Sequence, residues 1–402
     1  MLEGKHIILG VTGSIAAYKI ASLASMLKKQ KAHVTVIMTK NATNFINPIT
    51  FEELTGNKCL VDTFDRNFQH NVEHVSLART ADVFLIAPAS ANVIAKAAHG
   101  IADDMLTTTF LACECPKIVA PAMNTRMYRN PVTQDNIRLL RHYGMEVIDP
   151  ARGYLACGDV GDGKMPEPEL LLEYLVKALS PKDMAGIKLL VTAGPTQEAI
   201  DPVRYISNHS TGKMGYAIAR SAMLRGAQVT LVTGKTDLTP PIHVDTIAIT
   251  SAAEMADAVK ERADGQDIII KAAAVADYRP KYTSDEKLKK KDEEMSIALE
   301  RTEDILGFLG AHKREGQFLC GFSMETENVE ENSRAKLQKK NLDLIVANNL
   351  KQAGAGFGTD TNIVTLLSER AAIELPVMSK EDVADRLLDY IMESFVSQEK
   401  RK

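Results

Sequence analysis

Cys157 sits in Ala156-Cys157-Gly158-Asp159, a short run of small and polar residues. A thiol on a glycine-bearing segment is placed to close over a ligand and to give or take a proton, whereas a thiol kept for packing usually sits inside an apolar run. The same half of the chain carries His74, and Asn124 at the end of Pro121-Ala122-Met123-Asn124. An imidazole with an ordinary pKa near 6.5 suits proton transfer, but a histidine at the start of a helix is also a common cap or packing residue. The Asn124 amide has NH2 donors for a carboxylate, and its oxygen would equally cap the following helix. Gly10-Val11-Thr12-Gly13-Ser14 passes from a strand into a helix, so backbone amides and the Ser14 hydroxyl could face a phosphate there. The spacing is G-x-x-G, short of a dinucleotide fingerprint, and an ordinary tight turn reads the same way. Ser90-Ala91-Asn92 follows another strand at its carboxyl edge, where ligands collect in open α/β sheets.

In the second half, Ser207-Asn208-His209-Ser210-Thr211-Gly212-Lys213-Met214-Gly215 sets hydroxyls, an amide and glycines just ahead of a helix. That composition suits an anion cradle, although Met214 after Gly-Lys rules out a Walker A loop. Lys287, Lys289, Lys290 and Lys291 read either as a solvated charge run or as a mobile loop that neutralises triphosphate. Asp277 ends Ala274-Val275-Ala276-Asp277, where an aspartate binds a ribose hydroxyl or a hydrated metal, or simply forms a turn. Cys113 and Cys115 form a C-x-C with no second pair at zinc-like spacing and are read as structural.

Such residues need a scaffold. Strand-like runs at His6–Val11, His33–Met38, Val83–Ala87 and Lys117–Ala120 alternate with helical spacing over Ile15–Lys29, Val132–Tyr143 and Leu170–Leu179. After a break at Ser180-Pro181-Lys182-Asp183 the pattern restarts, with strands at Lys188–Thr192, Gln228–Thr233, Asp267–Ala274 and Leu342–Ala347 and helices at Gly215–Arg225 and Lys380–Ser397. This predicts α/β architecture: two consecutive Rossmann-like open parallel-sheet domains, over 1–181 and 187–402. The 402 residues carry a net charge of -4, which offers no field for gathering nucleic acid or an anionic membrane. Five scattered cysteines do not make a disulfide scaffold, and no apolar run is long enough to span a bilayer. A cytoplasmic protein without an export signal, a nucleic-acid partner or a membrane partner is expected.

Taken together, these residues resemble the bifunctional bacterial enzymes of coenzyme A synthesis that join a phosphopantothenoylcysteine decarboxylase to a phosphopantothenate–cysteine ligase. The first half matches through Gly13-Ser14-Ile15-Ala16, His74, Ala87-Pro88-Ala89-Ser90-Ala91-Asn92, Pro121-Ala122-Met123-Asn124 with Met127, and Ala156-Cys157-Gly158-Asp159. The second half matches through Gly194-Pro195-Thr196, Asp201-Pro202-Val203-Arg204, Ser207-Asn208-His209-Ser210, Gly212 with Met214-Gly215, Ala272 to Asp277, Lys287-Leu288-Lys289-Lys290 and Lys340-Asn341.

The resemblance implies FMN in the first domain, bound by Gly13, Ser14, Ser90 and Asn92. It also implies His74 as base at the substrate thiol, Asn124 as holder of the carboxylate and Cys157 as the final proton donor. For the second domain it implies activation of 4'-phosphopantothenate by CTP to an acyl-cytidylate, then attack by the amine of L-cysteine. Lys287 would stabilise the first step and Asn208 would bind the intermediate. Ser210, Gly212, Met214, Asp277, Thr302, Asp304, Ile305, Phe322, Lys336 and Lys340 match nucleotide and substrate positions. Mg2+ would accompany the triphosphate, with metal ligands left unassigned. A homo-oligomer with trimeric decarboxylase and dimeric ligase contacts is also implied. Tyr128 stands where some relatives have Trp, and Thr302-Glu303-Asp304-Ile305 replaces the Asn-Pro-Asp-Ile often found at the nucleotide base. Two rivals remain: a nicotinamide oxidoreductase, which the absence of a three-glycine fingerprint disfavours, and a non-enzymatic flavoprotein, which the presence of His74, Asn124 and Cys157 together disfavours.

Overall fold

The computed structural model describes residues 2–64, 73–154, 158, 160–289, 296–325, 329–349 and 358–399. The chain divides into two compact units, Met1–Ser180 and Pro181–Lys402.

In the first unit, β1 (His6–Val11), β2 (His33–Met38), β3 (Val83–Ala89), β4 (Lys117–Pro121) and β5 (Glu146–Val147) form one sheet in the order β2-β1-β3-β4-β5. Every pairing is parallel. The sequence dictates this: all of Val-Phe-Leu-Ile-Ala-Pro-Ala in β3 is buried, as strands covered on both faces require. Around the sheet lie α1 (Tyr18–Lys29), α2 (Pro48–Thr55), α3 (Glu73–Thr80), α4 (Ala91–His99), α5 (Met105–Ala112), α6 (Thr125–Tyr128), α7 (Pro131–His142) and α8 (Pro168–Leu179). A 3-10 turn, Ile15–Ala17, occupies the start of what the periodicity reads as one helix, because Ser14 caps a separate first turn. The core joins Ile8, Phe84 and Ile86 of the strands to Leu106, Phe110, Ile137 and Leu140 of the helices. An antiparallel hairpin of β6 (Ala151–Tyr154) and β7 (Val160–Lys164), not foreseen from apolar periodicity, stands apart from this sheet.

The second unit is built on β8 (Lys188–Ala193), with β9 (Gln197–Ala199) and β10 (Tyr205–Ser207) forming a small side ribbon. Its main sheet continues with β11 (Gln228–Thr233), β12 (Asp245–Ala248) and β13 (Ile268–Lys271), while β14 (Tyr278–Pro280) and β15 (Leu299–Arg301) make a second ribbon. Then come β16 (Phe318–Glu325), β17 (Leu344–Asn349), β18 (Thr361–Leu367) and β19 (Ala372–Ser379), in the overall order β12-β11-β8-β13-β16-β17-β18-β19. The helices are α9 (Lys213–Leu224), α10 (Ala252–Ala263), α11 (Ile305–Ala311), α12 (Val329–Lys339) and α13 (Lys380–Glu399). The sheet is parallel as far as β17, and β18 and β19 extend it antiparallel. β18 alternates half-buried and buried residues, so one of its faces packs inward, and α13 lies against it. The strand expected over 267–274 stops at Lys271, because Ala272 onward leaves the sheet to line a cavity.

Candidate functional site

In the first unit the chain leaves β1 toward β2 on one side, and β3 pairs with β1 on the other. That reversal falls at the carboxyl ends of β1 and β3, the place where open α/β sheets take their ligands. Thr12, fully buried, closes the floor: its Oγ1 donates to the Pro88 carbonyl at 2.6 Å and accepts from the Ser90 amide at 2.9 Å. Ser14 and Ser90 both lie at this edge as helix caps, accepting from the Ala16 amide at 3.4 Å and the Val93 amide at 3.5 Å. A Cβ at Gly13 would lie 2.8 Å from Cβ of Asn41, so only glycine lets these two segments approach. Asn92 is exposed in the first turn of α4, whose positive end faces the same edge.

His74 is half-buried in the first turn of α3. Asn124 follows β4 and does cap α6, its Oδ1 accepting from the Arg126 amide at 2.8 Å. The β6–β7 hairpin is fastened to this same segment. Thr125 Oγ1 donates to the Asp162 carbonyl at 2.8 Å, the Met123 amide donates to the Gly163 carbonyl at 3.1 Å, and Arg129 pairs with Asp162 at 2.5 Å. Cys157 falls in sequence between these two strands, whose described residues are the ones held beside Asn124. Cys157 itself lies outside the described residues.

In the second unit the reversal falls between β8 and β13. A cavity of about 770 Å³ opens there, within the range of cofactor and ligand sites. Asn208, Ser210, Gly212 and Met214 line it from the approach to α9; Asp277 lines it from the segment after β13. Thr302, Asp304 and Ile305 close it near the start of α11, with Phe322 of β16 and the pair Lys336 and Lys340 completing the wall.

The lining is held from behind. Asn208 Nδ2 donates to the Ala274 carbonyl at 3.0 Å, the Ala273 amide to Thr192 Oγ1 at 3.1 Å, and the Ala276 amide to Thr196 Oγ1 at 3.0 Å. Thr302 Oγ1 donates to the Ala276 carbonyl at 2.5 Å. Asp304 caps α11 through the Gly307 amide at 2.9 Å and pairs with Lys340 at 3.0 Å. Burial alone would raise the Asp304 carboxyl, but the Gly307 amide and Lys340 hold it below the ordinary carboxylate range.

Lys287 is exposed and is not among the residues lining this cavity. Its neighbour Leu288 is clamped, the amide donating to Asp201 Oδ2 at 3.1 Å and the carbonyl accepting from Arg204 at 2.5 Å. Lys290 and Lys291 lie outside the described residues. Sequence reasoning passed over Lys271, Lys380 and Asn348, all of which line the cavity. The available signal was a lysine ending the otherwise apolar Ile268-Ile269-Ile270, at a carboxyl edge. Burial, with Lys336 and Lys340 close by, brings the Lys271 ammonium down to about 8. Lys380 is lowered as well, by burial and by Lys213.

Comparison with known proteins divides the chain in the same way. The family model described as Flavoprotein matches residues 1–180, and that described as DNA/pantothenate metabolism flavoprotein C-terminal domain matches residues 184–395. The chain is 48% identical over 396 residues to the coenzyme A biosynthesis bifunctional protein CoaBC of Bacillus subtilis, an alignment covering 97% of each chain. It is 41% identical over 404 residues to the protein of that name from Escherichia coli, covering 100% of both. A crystal structure of the C-terminal domain of a coenzyme A biosynthesis bifunctional protein CoaBC is 45% identical and covers 54% of this chain and 99% of that one, at a TM-score of 0.47.

Proposed function

The chain belongs to the family of coenzyme A biosynthesis bifunctional proteins, and from that premise we propose how its residues divide the work. Two activities share the polypeptide, a carbon–nitrogen ligase and a carboxy-lyase. The ligase joins 4'-phosphopantothenate to L-cysteine with CTP by way of an acyl-cytidylate. The lyase then removes the cysteinyl carboxylate to leave 4'-phosphopantetheine. The observation that carries the ligase reading is the cavity at the β8/β13 reversal, where chain segments far apart in sequence converge around hydroxyls, amides and lysines. Lysines and amide donors at such an edge suit a phosphate chain.

Within that cavity, Asp277 takes the ribose, the 302–305 segment and Phe322 take the base, and Ser210, Gly212 and Met214 present the start of α9 to phosphate. Asn208 holds the intermediate for attack by the cysteine amine. Lys287 is assigned to the charge that develops in the first step, its segment steadied at Leu288 by Asp201 and Arg204. Mg2+ enters with the triphosphate, which needs few protein carboxylates of its own.

The carboxyl edge of β1 and β3 fits FMN: Gly13 lets the Asn41 segment pack close against the turn after β1, and Ser14, Ser90 and Asn92 sit at helix starts on that edge, where backbone amides suit a phosphate. When bound, FMN supplies a reversible acceptor for two electrons and so removes the need for an outside oxidant. His74 takes the proton from the substrate thiol. Asn124 Nδ2 holds the carboxylate, and the Cys157 thiol returns a proton to the carbon left after CO2 departs. No helix among the described residues is long and apolar enough to cross a membrane. A cytoplasmic homo-oligomer completes the reading, and mass photometry measures its subunit count.

The test is incubation of the purified full chain with 4'-phosphopantothenate, L-cysteine and either CTP or ATP. Pyrophosphate, CO2 and 4'-phosphopantetheine are expected, with the flavin spectrum retained through purification. A colourless protein that cannot be reconstituted with FMN and forms no cysteine adduct overturns the assignment.

A further inference from the structure

Lys271 ends β13 and lines the ligase cavity, yet it forms no hydrogen bond or salt bridge with any described residue. Two other cavity-lining segments bring three charged groups toward it, Lys336 and Lys340 from α12 and its end and Asp304 at the cap of α11; Asp277 adds a carboxylate from its own segment. The Asp304 carboxylate is already engaged by Lys340 at 3.0 Å and by the Gly307 amide. Positive charge is therefore in surplus where the sheet reverses, and the Lys271 ammonium has donors to spare. A polyanion would supply what these groups lack.

We propose that Lys271 is an anion-binding residue of the ligase cavity, taking up a proton as a phosphate-bearing ligand seats beside it, so that binding and protonation are coupled. The inference rests on the ligase reading and deepens it. With its ammonium brought down to about 8 by burial and by Lys336 and Lys340, Lys271 is roughly half neutral at pH 8 in the free protein. A phosphate beside it favours the charged form and raises that value again. The sign follows: the bound state holds more protons, so affinity is greatest below pH 8 and declines above it, by up to about tenfold per pH unit. Among the lining residues there is no histidine, and the terminal phosphate of CTP is already ionised at this pH; the competing group is Lys380, also lowered by burial and by Lys213, and substitution at Lys271 separates the two.

The experiment is calorimetric titration of the full-length protein at pH 8.0 with CTP–Mg2+ and, in a separate arm, with 4'-phosphopantothenate. Each arm is run in Tris, HEPES and tricine, whose ionisation enthalpies differ. The wild type is expected to take up about half a proton in the arm whose phosphate meets Lys271. Lys271→Met should abolish that uptake and weaken the same ligand about tenfold to a hundredfold. Lys271→Arg, always charged, should keep the affinity, lose the uptake and flatten the pH profile between 7 and 9. Binding without proton uptake, or uptake unchanged in Lys271→Arg, overturns this inference alone. Absence of binding in both arms overturns the ligase reading and the inference together.

Discussion

Gly215→Ala probes whether the seat of α9 on β8 is what presents the cradle to substrate. A Cβ at residue 215 would lie 2.5 Å from Cβ of Ala193 and 3.0 Å from the Thr192 carbonyl oxygen. Carbon atoms normally meet at about 3.5–4.0 Å, so the first turn of α9 must lift from the sheet by roughly 1 Å. Overpacking of this kind costs about 1–3 kcal/mol, offset by up to about 1 kcal/mol because alanine favours a helix more than glycine does. Stability therefore changes modestly, and each kcal/mol moves the melting temperature of a unit this size by about 2–4 °C. Position is the sharper readout, since a displacement near 1 Å at a reacting centre costs about a hundredfold in rate. Ligation, followed as pyrophosphate release from CTP, 4'-phosphopantothenate and cysteine, should fall by about that factor. Decarboxylation of separately prepared phosphopantothenoylcysteine should be untouched, because the first unit is a separate compact body. Adding Ala193→Gly removes one clashing partner and should recover part of the ligation, a coupling that a double-mutant cycle measures. Wild-type ligation by Gly215→Ala would refute the placement of the cradle on α9.

Asn124→Asp keeps the oxygen that caps α6 and replaces the amide donors with negative charge; the melting temperature should hold while decarboxylation falls roughly a hundredfold, read as CO2 release. Asp201→Asn removes the Arg204 ion pair that clamps Leu288 and should lower ligation about tenfold without affecting decarboxylation. Because Arg204 holds the Asp201 carboxyl far below the ordinary carboxylate range, its contribution is in place above pH about 4 and is lost only as pH falls through the native value, so melting of this unit should show no dependence on it between pH 6 and 8. Among the described cysteines, alkylation at pH 8 followed by peptide mass spectrometry should mark Cys115 first, since the Cys113 thiol and Lys117 favour its thiolate. Cys59, pushed up to about 12 by burial, and Cys320, raised further by burial and Asp343, should be spared.

How much of this was legible in the sequence follows from how local each signal is. β1 and β2 are read at their observed bounds because strands covered on both faces read as nearly continuous apolar runs, and the mostly buried residues 7–11 and 34–38, each after an exposed histidine, announce that without help from the rest of the chain. The hairpin β6–β7 escaped because Ala-Arg-Gly-Tyr and Val-Gly-Asp-Gly-Lys lack an apolar period; what defines it is the docking of Asp162 and Gly163 on Thr125, Arg129 and Met123, a tertiary event. Caps sit between these cases. Ser14, Ser90 and Asn124 are residue types that both cap helices and bind ligands, and each is seen to cap; the proposed binding roles are compatible with that, because the cap fixes the side chain at the carboxyl edge where a ligand would meet it. Lys271 shows the remaining gap. Its neighbours in sequence say only that a strand ends; its chemistry comes from Lys336 and Lys340, which only the folded unit brings near it, and from burial that no local pattern records. A charged residue that ends an apolar strand at a sheet reversal is thus the sequence feature to seek, and the state of its proton is what the fold adds.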